Sequence, residues 1–156
     1  MQNQQQYSST NHLKFSFGGE NKANTKAEKA TPNIDINFLQ LVATMFKPSK
    51  EHRNTIEKVR QIVKKGYENG NDNATIKEKI KPLKLTLPFV LLSGTCKVHH
   101  NNKSLNFNGG FQLDIDFKEL EGDITAAQIK AKLINLPYVA ICGFSCSGYG
   151  VKALIL

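Results

Sequence analysis

The sequence has no apolar run approaching the roughly 20 residues that a membrane-spanning helix needs, which argues against a transmembrane protein. Its start, MQNQQQYSSTNHLKFSF, lacks a basic segment followed by an apolar stretch, so a signal peptide is not expected and the expected location is cytoplasmic. Cysteine is scarce. An odd three (Cys96, Cys142, Cys146) does not make a disulfide framework. Nor do they make a good zinc site with His99 and His100: Cys142 and Cys146 are separated by three residues, and neither pair has the CxxC form that a zinc hook usually takes. Cys142 lies in an apolar run, where a thiol serves as a small hydrophobe.

Acidic residues are the minority, 13 against 21 Lys and Arg, giving a formal charge of +8. Such an excess concentrates polyanions, so nucleotides and nucleic acid are natural partners. The same lysines also keep a helical surface soluble. With 156 residues, 40% hydrophobic and 22% charged, the chain can form one domain with a core. No internal repeat is visible.

Residues 1–32 are rich in Gln, Asn, Ser and Lys and read as a mobile polar tail in which HLKFSF could pair as a short edge strand. The domain is expected over 33–156. From Ile34, the residues Ile36, Leu39, Val42, Met45 and Phe46 recur at helical spacing up to Pro48. A second helix is expected over about 50–65, with Ile56, Val59, Ile62 and Val63 as its apolar stripe and Gly66 at its end. Its basic residues read as a solvated face. A shorter helix near 74–80 should stop at Pro82.

Beyond Pro88 the period shortens. FVLLSGTCKV reads as a strand broken at Gly94, HHNNKS as a turn, and SLNFN as a returning arm. In the stretch 109–117, Phe111, Leu113, Ile115 and Phe117 share one face, while Gln112, Asp114 and Asp116 share the other. A helix over about 125–136 follows, capped by Asp123 or Thr125 and burying Ala127, Ile129 or Lys130, and Leu133 or Ile134. A strand at 138–144, the turn SCSGYG and a strand at 151–156 complete a β-α-β-β unit. The expected fold class is therefore α+β.

Two carboxylates at i and i+2 on a strand point the same way, roughly 6.5–7 Å apart at the backbone. Charges about 6 Å apart repel by about 3 kcal/mol at an effective dielectric near 20. Water, a proton or a cation must relieve that repulsion, and Mg²⁺ or Mn²⁺ suits carboxylate oxygens while keeping positions open for phosphates. Asp114 and Asp116 are thus the candidate metal ligands; the bland alternative is an acidic, wet strand face. In SCSGYGVK, Ser145, Ser147, Gly148 and Gly150 offer hydroxyls and a permissive backbone for phosphate oxygens, with Lys152 following. The GxxxxGK[ST] spacing of a Walker loop is absent, and the glycines could equally serve a hairpin. Lys152 joins the site if it shares the face of the aspartates.

LDIDF, a helix, PYVAICGFS and SGYGVKALIL together resemble the VirE N-terminal domain, the primase-like N-terminal module of Bacteroidetes mobile-element proteins. IEKVRQI and KPLKLTLPFVLLSGT extend the resemblance over 34–156, most specifically from Leu87. These domains resemble the archaeo-eukaryotic primase superfamily, whose RRM-like catalytic half carries DxD on a strand. The resemblance implies an RRM-like module preceded by helices. It further implies that Asp114 and Asp116 bind catalytic Mg²⁺ or Mn²⁺, that the small residues 145–150 and Lys152 contact the nucleotide, and that Lys152 stands where other primases carry a His. It also implies a further acidic ligand on a strand beyond Leu156, and single-stranded DNA, nucleotides and a helicase-like domain or protein as partners. The function so expected is nucleotidyl transfer in replication of a mobile element. A non-catalytic nucleic-acid-binding or replication-accessory module is the alternative, and a DxD glycosyltransferase is disfavoured by the lack of room for an acceptor domain.

Overall fold

The structure, a computed structural model, describes residues 13–18, 34–96, 105–116 and 124–156. It is mixed α+β, with four helices and three small antiparallel sheets among the described residues. The chain divides into two compact units, one holding the described residues up to Ser49 and Leu87–Gly110, the other Lys50–Thr86 and Phe111–Leu156.

In the first unit, β1 (Lys14–Gly18) lies between β2 (Ile34–Asn37) and β3 (Phe89–Leu91). Residues 14–17 of HLKFSF are thus part of a central strand, not an edge. Phe15 and Ser16, which point to opposite faces, are both fully buried, as a strand covered on two sides requires. The rest of the expected tail lies outside the described residues. Residues 34–37 pair with β1 as a strand instead of opening a helix. The reason is a capping box: the Asn37 side chain accepts from the Gln40 backbone N–H, and the Gln40 side chain accepts from that of Asn37. This box sets the start of α1 (Phe38–Phe46). The buried face of α1 is consequently Phe38 and Leu41; Leu39, Met45 and Phe46 of the expected stripe are exposed. A turn at Leu92 and Ser93 separates β3 from β4 (Gly94–Thr95), which pairs with β5 (Asn106–Phe107), the returning arm expected from SLNFN. The expected turn with His99 and His100 lies outside the described residues.

The second unit begins with an antiparallel pair of helices, α2 (Lys50–Glu68) and α3 (Asn73–Leu85). Val59, Val63, Ile76 and Ile80 form their shared core, with Ile62 and Leu83 against it. Gly66, expected at the end of the first of these helices, has another role. Gly66 sits inside α2, because a Cβ there would come within 2.6 Å of the Ile76 side chain; the glycine permits the helices to approach. The end comes at Gly70 (φ 70°), where the Asn71 N–H reaches the Gly66 carbonyl and the Gly70 N–H reaches Tyr67, a Schellman motif. Asp72 then caps α3 by accepting from Thr75. Helix α3 runs through Pro82 rather than stopping before it. Proline forfeits one helical hydrogen bond there, and packing of Leu83 on the α2–α3 core holds the last turn in place.

The rest of the unit is a three-stranded sheet ordered β6 (Phe111–Ile115), β8 (Val151–Ile155), β7 (Val139–Phe144), with α4 (Ala126–Leu133) between β6 and β7 in the chain. Strand β8 is antiparallel to both neighbours, so β6 and β7 run parallel with β8 inserted between them. This is the split β-α-β arrangement expected from the order β-α-β-β. Thr125 caps α4 in a second capping box with Gln128. Ala126, Ile129, Lys130 and Leu133 form its inner side, as expected at 129, 130 and 133; Ala127, expected to be buried, is exposed, and Ala126 takes the buried place in the first turn. The helix packs on β7 and β8, and the Lys130 ammonium lies 4.7 Å from the Phe144 ring centroid. Val151, Ala153 and Leu154 are almost wholly buried, so β8 is the spine of the unit.

Candidate functional site

The pairing register decides which side chains meet. Asp114 of β6 stands opposite Lys152 of β8, so both point from the same face of the sheet. The Lys152 ammonium donates to Asp114 Oδ2 in a charge-assisted hydrogen bond, with both side chains 44% exposed. Asp116 follows at the end of β6 and also lines this face. A one-residue slip of β8 would have sent Lys152 to the side covered by α4.

Within the second unit these residues edge a cleft of about 520 Å³. Asp114, Asp116 and Lys152 line it from the sheet, with Ser145, Cys146, Ser147 and Tyr149 at the β7–β8 turn. Residues of α2 and α3 make the opposing wall, among them Tyr67, Asn73, Lys77, Lys81 and Lys84. Four lysines and two aspartates thus share one concavity.

The turn is tied closely to itself. Ser145 is buried, and its hydroxyl accepts from the Gly150 N–H at 3.1 Å and shares a 2.9 Å hydrogen bond with Ser147 Oγ. The Ser145 N–H donates to the Gly150 carbonyl, and the Gly148 N–H to that of Ser145. Gly148 takes φ 82°, in the left-handed region. Gly150 is needed for another reason: a Cβ there would lie 2.6 Å from the Ile115 carbonyl oxygen, so a glycine lets the turn close onto β6. Both serine oxygens accept from a turn amide, Ser145 from Gly150 and Ser147 from Tyr149 at 3.4 Å, but Ser145 is buried and Ser147 only partly so, which leaves Ser147 the better placed to face a ligand.

Cys146 and Tyr149 anchor the turn on the α2–α3 core. The Tyr149 ring meets Tyr67 at 5.1 Å between centroids, and the Tyr67 hydroxyl donates to Asn73 Oδ1 at 2.6 Å. Burial, reinforced by the negative fields of Tyr149 and Asp116, raises the Tyr67 phenol above its ordinary pKa. Burial likewise raises the Cys146 thiol, against the opposing pull of Lys84 and Arg60. Cys146 is therefore a packed thiol, not an activated nucleophile.

Two carboxylates pointing from one strand suit Mg²⁺ or Mn²⁺, which bind through one or two carboxylates and keep several waters. Among the described residues, no group of three or more His, Cys, Asp or Glu is placed to share a metal. The donor set therefore fits a water-rich oxygen site better than an all-protein cage.

Of the residues expected at the site, Asp114, Asp116, Ser145, Ser147 and Lys152 line the cleft, Gly148 and Gly150 do not, and the helical wall was not foreseen. Lys77, Lys81 and Lys84 each follow by one residue the apolar stripe Ile76, Ile80 and Leu83. That offset places them on one flank of α3. The expectation of a helix stop at Pro82 hid the pattern, since it removed Lys84 from the helix.

Residues 82–156 match the family model described as BT4734-like, N-terminal domain. The match takes in β6, α4, β7, β8 and the 145–150 turn, hence both aspartates and Lys152. It leaves out α2 and most of α3. No curated protein and no solved structure matches the chain. Among the described residues, no helix is long and apolar enough to cross a membrane.

Proposed function

We propose that the second unit is a primase-like nucleotidyl-transfer module of the VirE N-terminal type, serving DNA replication of a mobile element. The observation that carries this reading is the convergence of an aspartate pair and several lysines on one cleft. Asp114 and Asp116 would hold Mg²⁺ or Mn²⁺, which would supply charge neutralisation at the triphosphate and at the attacking hydroxyl. Lys152 releases Asp114 and turns its ammonium toward phosphate oxygen, where negative charge develops during transfer. Ser147 donates to a phosphate oxygen from the turn, while Ser145, Gly148 and Gly150 keep that turn in shape. A further acidic ligand and a helicase-like region, supplied from outside these residues, complete the machine.

The decisive measurement is Mg²⁺- or Mn²⁺-dependent primer synthesis by the complete protein, comparing wild type with Asp114→Asn and Asp116→Asn. Synthesis should fall to background in both variants and in EDTA. Undiminished synthesis by either variant would sink the mechanism.

A second reading, a nucleic-acid-binding or replication-accessory module without chemistry, is favoured by the direct pairing of Lys152 with Asp114. A carboxylate neutralised by lysine needs no metal. Under this reading the complete protein binds single strands with strong salt dependence and indifference to metal.

A further inference from the structure

We infer that the flank of α3 bearing Lys77, Lys81 and Lys84 is a track for the phosphodiester backbone of single-stranded nucleic acid. The inference rests on the reading that this cleft takes phosphate-bearing ligands, but not on any catalysis there.

The three lysines line one wall of the cleft and are exposed. None makes an ion pair with a described acid; the ion pairs found are Lys64–Glu68 and Lys152–Asp114. Spacings of four and three residues stack their side chains along one flank, and like charges so placed repel each other. A bound anion relieves that repulsion. The span from Lys77 to Lys84 is about 10 Å at 1.5 Å per residue. That length exceeds the two phosphate bridges of a single triphosphate. A continuous strand therefore matches the row better than a mononucleotide. The opposite wall, with Asp114 and Asp116, repels phosphate in the absence of metal, which biases the strand toward α3.

The basic residues of α2 supply a control. Lys58, Lys64 and Lys65 are also exposed but do not line the cleft. The triple variants Lys77→Gln/Lys81→Gln/Lys84→Gln and Lys58→Gln/Lys64→Gln/Lys65→Gln remove equal charge, with little change in helix propensity. Binding of a fluorescent twelve-residue oligothymidylate is measured by anisotropy in EDTA across a salt series, with circular dichroism confirming that each variant is folded.

The cleft variant should bind at least tenfold more weakly, with a log–log salt slope shallower by about 2, since each lost phosphate contact removes about 0.7 for a single strand. The α2 variant should change the slope by less than half as much. Asp114→Asn/Asp116→Asn should retain strand binding even though it abolishes primer synthesis, which separates failure of the track from failure of the proposed chemistry. Equal losses in the two lysine variants would reduce the effect to diffuse charge and overturn the inference. So would an unchanged oligonucleotide affinity in the cleft variant, whether or not binding of Mg²⁺–dTTP is impaired.

Discussion

Each unit of this protein sets an aspartate across a strand pair from a polar partner, with opposite consequences. In the first unit, Asp35 faces Ser16. The Ser16 hydroxyl lies 3.0 Å from Asp35 Oδ1, while its oxygen accepts from the Cys96 N–H at 2.9 Å. Ser16 is fully buried, and the contacts bind three segments of chain into one small layer. In the second unit, Asp114 faces Lys152, both are nearly half exposed, and both open on a cleft. The contact is buried at its Ser16 end, although Asp35 is exposed, and it fixes structure because an unmet hydrogen bond at the buried hydroxyl is costly. The exposed ion pair adds little to stability, since water screens it, and for the same reason it can be exchanged for a ligand. Polar pairing by itself therefore says nothing about function; the burial of the aspartate's partner, complete for Ser16 and slight for Lys152, separates the two.

Mutations can test that contrast. The largest effect should come from Phe15→Ala, which empties the centre of the first unit. It should cost about 3–5 kcal/mol, measured by urea unfolding. Next is Ser16→Ala, which leaves the Cys96 N–H without its acceptor and should cost about 1–3 kcal/mol. Gly150→Ala presses a methyl against the Ile115 carbonyl oxygen and should cost a similar 1–3 kcal/mol. Hydrogen-exchange protection should fall in β6 and β8 for that variant and in β1 for the other two. Asp114→Asn should change stability by less than about 1 kcal/mol while abolishing the metal-dependent activity proposed above. A loss of several kcal/mol would make the pair structural and erase the comparison. The smallest effect is alkaline. The Tyr67 phenol is raised in the folded state, so its contribution is intact below pH 10.0 and is lost as pH rises through the native value. Tyr67→Phe should flatten stability across that alkaline interval.

The second unit was far more legible in the sequence than the first. Alternation in FQLDI and VKALI is enough to put Asp114 and Lys152 on side-chain faces, and the β-α-β-β order follows from punctuation by Thr125, Pro137 and the glycine-rich turn. Residues 34–46 misled because Ile36, Leu39 and Val42 fit a helical period, while the capping pair Asn37 and Gln40 marks where the helix truly begins. Gly66 and Pro82 carry opposite lessons. A glycine resembles a helix end unless a neighbouring helix occupies the space its side chain would fill. A proline resembles a stop unless the residue after it has a core to pack against.

By itself, the amino-acid order determined the α+β class, the shared face of Asp114 and Asp116, and the positive charge that suits the chain to polyanions. These follow from local periodicity and composition, which need no knowledge of distant partners. Only the tertiary structure decided that β8 lies in the register that sets Lys152 against Asp114, and that β1 forms the middle of a sheet. It also decided that α3 brings three lysines to the acidic cleft. Each of those depends on which segments pack together, and packing is settled by buried contacts between residues far apart in the chain.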